Sequence, residues 1–331
     1  LIRNRSGHWN VLAGLPSAAK DESAYQMFSR LLQIREATIQ QGHITITDEA
    51  RPDGVRTTKL EAVEMALKVY PGKAQGDLHI SASLPAEAAP SSFSLTGTIG
   101  LSESSSSLAA EEPYSVHPAF QFDGEIETTN LRLREAADFF GPRPVPAQLQ
   151  GGANLQSRIR VAPGVAGYDV VLTEIAANVD QLAITGKANM AGLLTSQPTF
   201  SITFASPTID LKTLFARMPP QWIHPQLPGI VEQRQLGGTV EIVSATLTGA
   251  TAPSPQLSLT GDFRIEKGTA LIGNDRVPTQ DLSATISVEP GRIRVGKVTG
   301  SYGTLQMTDG KAVVSFLDEG PWMELDISGN M

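Results

Sequence analysis

The chain has 331 residues, of which 40% are apolar and 18% are charged, so it can bury a core and is not typical of a disordered protein. Its net charge is −8 and its Lys and Arg residues form no run, which disfavours a nucleic-acid-binding surface. The absence of cysteine excludes disulfides, zinc–thiolate sites and thiol nucleophiles. No stretch of the sequence approaches the roughly 18 apolar residues that a membrane-spanning helix needs.

Three short segments repeat apolar residues every three or four positions, which predicts helices at Asp21–Leu32, Leu133–Phe140 and Thr208–Met218. Almost everything else alternates between apolar and polar residues, which predicts strands. Thr58–Val69 fits either pattern, and we assign the part from Val63 onward to a strand. The predicted strands are Gln33–Ile39, His43–Thr47, Val63–Val69, Gly76–Leu84, Ser92–Ile99, Ala119–Thr128, Gly152–Val161, Tyr168–Ile175, Val179–Met190, Thr199–Phe204, Gly238–Leu247, Gln256–Glu266, Asp281–Val288, Arg292–Val298, Thr304–Thr308, Ala312–Phe316 and Met323–Gly329.

Turn residues separate these strands. Glu289-Pro290-Gly291 and Asp309-Gly310 each predict the turn of a hairpin. The proline-rich segment 219–228 is predicted to be irregular. For the domains we expect an N-terminal loop and short helix over residues 1–32, a first β-groove section over 33–145, and a second section over 146–331 that continues the first.

One short phrase, apolar-x-apolar-x-Gly-x-apolar, occurs five times at unequal spacings. A period of two places its apolar residues and its glycine on one face of a strand. Glycine inside an apolar strand face needs a reason, such as a bend, a bulge or a closely approaching group. We therefore expect one sheet of similar strands that curls at Gly97, Gly124, Gly186, Gly261 and Gly329.

Residues with catalytic or ligand-binding chemistry form no recognisable motif. The five histidines are at least 35 residues apart, and the acidic pairs Asp48-Glu49, Glu111-Glu112 and Asp318-Glu319 lie beside turns. No Walker-type, GxSxG or HExxH pattern is present. We expect no enzyme, no metal and no cofactor, and solvated loop charge is the simpler interpretation of the acidic pairs.

The apolar face is the remaining candidate site. It can be the sealed core of a sandwich, or it can line an open groove for lipid. The residues alone leave both interpretations open. The predicted lining residues are Leu78, Ile80, Phe93, Leu95, Ile99, Phe120, Phe122, Ile126, Val170, Leu172, Leu182, Ile184, Phe200, Ile202, Phe204, Leu257, Leu259, Phe263 and Ile265.

Several stretches resemble the AsmA-like family. The opening line from Arg3 through Gly7, Trp9 and Asn10 to Leu15 resembles the family's "basic-x-x-x-Gly-x-Trp-Asn-x-x-x-Leu" line, and residues 32–50 resemble the strand pair with an acidic turn that follows it. Residues 178–214, with Ser-Pro-Thr-Ile-Asp-Leu at 206–211, resemble an internal strand-to-helix step, and residues 261–271 resemble later repeats. The likeness extends over most of the chain, and only the opening line is fairly specific.

The resemblance implies a mostly β fold: an elongated, highly twisted antiparallel sheet curled into an open trough, with a few short helices. It implies a periplasmic, bridge-like lipid transfer protein that is anchored in the inner membrane of a Gram-negative cell. Its expected partners are phospholipid or another acyl lipid, the inner membrane through an N-terminal helix outside this sequence, and outer-membrane components. No catalytic residues come with the family.

Two other functions remain open at this stage. The first is a non-transporting structural or assembly factor for outer-membrane proteins, built on a closed β-sandwich or solenoid. The second is a carbohydrate-active β enzyme that uses the acidic pairs.

Overall fold

The computed structural model of the chain describes residues 2–3, 35–49, 56–70, 73, 75–84, 90–102, 119–132, 151–164, 167–179, 182–193, 198–217, 227–250, 257–272, 276–315 and 322–330. The strands are β1 Ile2–Arg3, β2 Glu36–Asp48, β3 Arg56–Val69, β4 Gln75–Leu84, β5 Ser91–Ser102, β6 Ala119–Arg132, β7 Gly152–Gly164, β8 Gly167–Val179, β9 Leu182–Leu193, β10 Thr199–Asp210, β11 Gly237–Ala250, β12 Leu257–Ile272, β13 Val277–Glu289, β14 Arg292–Tyr302, β15 Leu305–Ser315 and β16 Trp322–Asn330. The helices in these ranges are α1 Leu211–Arg217 and α2 Leu227–Gln233.

The strands are hydrogen-bonded in chain order, beginning at β1 and ending at β16. The pairs from β2 to β7 and from β10 to β16 are antiparallel, and the short strand β1 runs parallel to β2. The predicted fold class, a mostly antiparallel β protein whose sheet does not close on itself and which carries few short helices, is confirmed for the described residues.

The chain divides into two compact units. Unit 1 contains β1 to β7, most of β8 and the end of β9, whereas unit 2 contains the rest of β8 and β9, β10 to β16 and both helices. The predicted section boundary after residue 145 and most of the predicted segment 1–32 lie outside the described residues. The predicted helices Asp21–Leu32 and Leu133–Phe140 lie outside them as well.

In the described part of the chain, seven strands contain one non-glycine residue in the left-handed region, with φ between 49° and 54°. Shifts of strand register flank six of these residues, as expected for β-bulges. At each of the seven the apolar positions change parity; in β8, for example, they pass from Val170 and Leu172 to Ile175 and Ala177. Each bulge therefore keeps the apolar side chains on one face of a long strand. The seven residues are Gln41, Ala62, Asn130, Glu174, Lys267, Asp281 and Lys297.

Bulges and close approaches explain two errors of the sequence-based prediction. The alternation predicts two strands at Gln33–Ile39 and His43–Thr47, but these segments belong largely to the single strand β2, which is bulged at Gln41. The predicted turn at Asp309-Gly310 lies inside β15, and the turn is formed at Gly303 instead. Gly310 is buried opposite Val298, whose Cβ would lie 2.8 Å from a Cβ at position 310.

The helix predicted at Thr208–Met218 is present as α1, but it begins three residues later because β10 continues to Asp210. The Asp210 side chain caps α1: Oδ1 accepts hydrogen bonds from the amides of Lys212 and Thr213 at 3.0 and 3.1 Å. Helix α2 begins inside the segment that its prolines predict to be irregular. That prediction is wrong at Pro228, because proline is compatible with the first turn of a helix.

Ala62 allows a direct test of the bulge conformation. An L-residue in the left-handed region is strained and glycine is not, so we expect Ala62→Gly to raise the free energy of unfolding by about 1 kcal/mol. Ala66, also exposed in β3 but without a positive φ, is the matched control. Ala66→Gly should lower stability by about 0.5–1 kcal/mol. Urea denaturation of both variants measures this difference, and equal destabilisation would contradict the assigned bulge.

Candidate functional site

Unit 1 has one apolar face, which we call face 1: the residues of β3 to β7 that the strand register places on the same side as Leu95. Leu95 lies opposite Ile80 of β4 on one side and Ile126 of β6 on the other. All three side chains are half-buried, whereas their sequence neighbours Thr96 and Glu125 on the opposite face are exposed. Face 1 therefore leaves part of its aliphatic surface accessible to solvent.

The predicted lining residues of β4 to β6 all lie on face 1, because no bulge interrupts the pairing of β4 with β5 or of β5 with β6 from Gly76 to Thr128. Val170 and Leu172 of β8 share a face with Tyr168 by alternation. The Tyr168 ring meets that of Phe120 edge-to-face at 6.2 Å between centroids, which places these β8 residues on the same side as Phe120. The lining residues in unit 1 are Leu78, Ile80, Phe93, Leu95, Ile99, Phe120, Phe122, Ile126, Val170 and Leu172.

Gly97 and Gly124 lie directly opposite each other in the middle of face 1. A Cβ at Gly97 would lie 2.5 Å from Gly124 Cα, and a Cβ at Gly124 would lie 2.7 Å from Gly97 Cα, so neither position has room for a side chain. Gly186 and Gly261 show the same pattern against Phe204 and Ala245 of the neighbouring strands, at 3.0 and 2.7 Å. The closely approaching group is thus the backbone of the adjacent strand. Gly329 lies in β16 opposite Met307.

The ring of Phe122 lies over Gly124. Its Cζ atom would be 2.8 Å from a Cβ at Gly124, and Phe122 is only 2% exposed. An aromatic ring that covers a glycine of its own strand compensates for the missing side chain. The two glycines and Phe122 together form a tightly packed point of face 1.

Substituting Gly97 tests the close approach. We expect Gly97→Ala to lower the free energy of unfolding by about 2–3 kcal/mol, because the neighbouring backbone must move to admit the methyl group. Gly296→Ala in β14 is the matched control, since a Cβ there would lie at an ordinary 3.5 Å from Thr285 Oγ1. The control should be neutral or stabilising by up to about 1 kcal/mol. Chemical denaturation compares the two, and similar midpoints would contradict the tight approach.

Unit 2 also has an apolar face, face 2: the side of β10 to β15 that carries Phe204, Ala245 and Phe263. Cross-strand partners place Leu247 between Ile202 and Leu259, and Val240 beside Ile265. The contacts of Gly186 with Phe204 place Leu182 and Ile184 of β9 on this side by alternation. Its predicted lining residues are Leu182, Ile184, Phe200, Ile202, Phe204, Leu257, Leu259, Phe263 and Ile265, of which the side chain of Leu257 lies outside the described set.

Face 2 differs from face 1 because helix α1 covers part of it. Leu211 and Leu214 of α1 are 6% and 3% exposed and pack into one cluster with Ile242, Leu259 and Phe263. Two predicted lining residues of unit 2, Leu259 and Phe263, are thus buried members of a cluster that includes the chain's own helix. The other buried members of this cluster are Val240, Ala245 and Val288.

The sequence-based prediction missed several apolar residues of both faces. In unit 1, Met65 and Leu67 of β3 and Ile159 of β7 lie on face 1 beside predicted residues. In unit 2 the apolar side of β11 and the two leucines of α1 were missed. The alternation of these strands was visible, but the two faces of a fully paired strand can be told apart only when its neighbours are known.

Thr128 is a polar residue inside face 1. It lies between Phe93 and Leu155 on the neighbouring strands, is 6% exposed, and its hydroxyl has no hydrogen-bond partner. An unpaired buried hydroxyl costs about 1–3 kcal/mol relative to a paired one. Thr128 is therefore a local weak point of face 1.

Replacing that hydroxyl by a methyl group should stabilise the protein. We expect Thr128→Val to raise the free energy of unfolding by about 1–2 kcal/mol, since valine has nearly the same shape and needs no partner. Thr129→Val, at the exposed neighbouring position in β6, is the control and should change stability by less than about 0.5 kcal/mol. Thermal or chemical denaturation measures both changes, and a loss of stability in Thr128→Val would show that the hydroxyl is paired.

The opposite faces of the strands carry the titratable groups. His43 and His79 are exposed, and His79 Nδ1 lies 2.8 Å from Thr96 Oγ1. The Tyr70 hydroxyl donates a hydrogen bond to the Asp77 carboxylate, which raises the pKa of Tyr70. Arg264 and Glu241 form a cross-strand ion pair at 2.7 Å on the corresponding side of unit 2. Within the described ranges no three His, Asp or Glu residues group as metal ligands.

Of the acidic pairs, Asp48-Glu49 lies at the end of β2, and the other two pairs fall outside the described ranges. No helix in the described part of the chain is long and apolar enough to cross a membrane. Comparison of the chain with models of known families, with curated proteins and with solved structures finds no match. The two apolar faces are therefore the features of the described structure that point to a function, beside the family resemblance of the sequence.

Proposed function

We propose that this chain is a periplasmic segment of an inner-membrane-anchored, AsmA-like protein, which carries phospholipid along its apolar faces toward the outer membrane. Its ligand is the acyl part of a phospholipid or a related lipid, and its contribution is binding, without catalysis or a cofactor. The observation that supports the proposal most is the partial exposure of face 1, where the half-buried side chains of Met65, Ile80, Leu95 and Ile126 are opposed across four consecutive strands, β3 to β6.

The energetics favour an acyl ligand for such a surface. Transferring a sixteen-carbon chain from a bilayer to water costs about 12 kcal/mol, at roughly 0.8 kcal/mol per CH₂ group. An aliphatic surface offsets this cost wherever the acyl chain lies against it. The contact also removes the apolar side chains of the surface from water, which is favourable as well. Leu, Ile, Val and Phe side chains on face 1 offer only such contacts, so the binding would depend on apolar area and not on a particular head group.

The alternative function is that of a structural or assembly factor for outer-membrane proteins, with the apolar faces sealed. One observation favours it: α1 buries part of face 2 in the manner of an ordinary core, with Leu214 at 3% exposure. The two functions differ in whether lipid reaches the apolar faces at all. Lipid bound to the purified chain distinguishes them.

The direct test introduces a charge on face 1. We expect Leu95→Asp to reduce the phospholipid that co-purifies with the chain at least tenfold. A carboxylate in contact with acyl chains loses its hydration at a large free-energy cost, or it retains water that keeps the acyl chains off the surface. Mass spectrometry of organic extracts measures the lipid per chain, and circular dichroism verifies that the β content is unchanged. Leu95 is half-buried, so the fold should tolerate the change.

Thr96→Asp is the matched control, because it places the same charge one residue away on the exposed opposite face. Its lipid content should equal that of the parent chain. Equal lipid in the two aspartate variants would contradict the proposed role of face 1. A parent chain that carries no phospholipid after expression in a Gram-negative host would favour the structural alternative.

A further inference from the structure

Helix α1 occupies the position on face 2 that an acyl chain would take under the proposed function. Its two buried leucines belong to the same buried cluster as the predicted lining residues Leu259 and Phe263, and Phe204 packs against that cluster. The floor of that surface contains the small pair Ala245 and Gly261, which lie directly opposite each other. Such small residues leave space above the sheet, and Ala245 is a member of the buried cluster that Leu211 and Leu214 of α1 join.

Among the described residues, few contacts hold α1 on the sheet. The helix has seven residues, which is too short to be stable without tertiary contacts. Leu211 and Leu214 are its described anchors on the sheet, half-buried Phe215 packs beside them, and Lys212 is exposed. At its start, the Asp210 carboxylate accepts hydrogen bonds from the amides of Lys212 and Thr213. The helix thus depends on a few apolar contacts and on one side-chain cap.

We propose that α1 is a displaceable plug: the helix and a lipid acyl chain occupy the same part of face 2 in turn. This inference rests on the proposed function, and it adds the regulation of the same kind of site. Acyl chains replace the apolar contacts that Leu211 and Leu214 make, so exchange of one occupant for the other keeps the surface covered. A ligand shifts such an equilibrium by its preference for the open state.

The absence of cysteine from the chain makes a direct test possible. Leu214→Cys places a single thiol in the buried contact of α1, and its alkylation rate reports how often the helix leaves the sheet. We expect monomeric diheptanoyl phosphatidylcholine to raise that rate at least tenfold. Met307→Cys in β15 is the control, because Met307 is 3% exposed, like Leu214, but lies outside the α1 cluster. Its rate should not change with lipid.

A second pair of variants leaves both leucine anchors in place. Asp210→Ala removes the cap, whereas Asp210→Asn retains an acceptor for the same two amides. Weakening the plug raises the fraction of open chains, so we expect Asp210→Ala to bind the short-chain lipid about fivefold more tightly than the parent. Asp210→Asn should bind it within about twofold of the parent. This comparison remains informative even if Leu214→Cys fails to fold, and equal affinity of Asp210→Ala and the parent would count against the plug.

The outcomes separate the plug from the proposed function. Suppose that lipid binds and that Leu95→Asp abolishes binding to face 1. If the Leu214→Cys thiol is nevertheless alkylated at the same rate with and without lipid, then α1 is a fixed part of the core and the plug proposal is wrong. A lipid-induced rise at both cysteine positions would indicate general loosening and would also overturn it. If no lipid binds to the parent chain, the proposed function itself fails.

Discussion

Continuous strand pairing is the constraint on which the rest of this structure depends. Each strand exposes its alternate residues on two sides, and a slip of one residue would move every apolar side chain to the polar side. The strands are 9 to 16 residues long, apart from β1, so errors of register would otherwise accumulate. The bulges correct them within the strand, because one left-handed residue changes the parity of the apolar positions and keeps them on one side.

The bulges also explain what could and could not be predicted from the sequence. The mostly β fold class, the hairpin at Pro290-Gly291 and the helix near Leu211 follow from alternation, from turn residues and from spacing. The failures lie where a strand changes parity. Leu60 and Val63 are three residues apart, like neighbours on a helix, yet they lie on one side of β3 because Ala62 is a bulge between them.

The candidate site was predictable in part for a related reason. Alternation identifies which residues of a strand share a side, so all the predicted lining residues of β4 to β6 lie on face 1. Whether a side is covered depends on elements far away in sequence. Nothing in the alternation of β11 and β12 reveals that Leu214 of α1 joins one buried cluster with Ile242 and Phe263. The distinction between a surface open to ligands and a core belongs to tertiary structure.

The two faces thus represent the two interpretations that the residues alone leave open. Face 1 exposes aliphatic surface around Leu95 and Ile126, whereas α1 buries part of face 2. Both are built by the same alternation and by the same close approach at paired small residues, Gly97 with Gly124 and Ala245 with Gly261. One architecture therefore carries both a partly exposed apolar row and an apolar surface that a short helix helps to cover.

Methyl NMR of the chain with a phospholipid that carries a nitroxide on its acyl tail tests directly whether acyl chains bind to face 1. If they do, the Leu95, Ile99 and Ile126 methyl signals should show strong paramagnetic broadening. The methyl groups of Thr96 and Thr98, on the opposite side of the same strand, should be affected much less. Equal broadening on the two sides, or none on either, would contradict the claim that face 1 receives acyl chains.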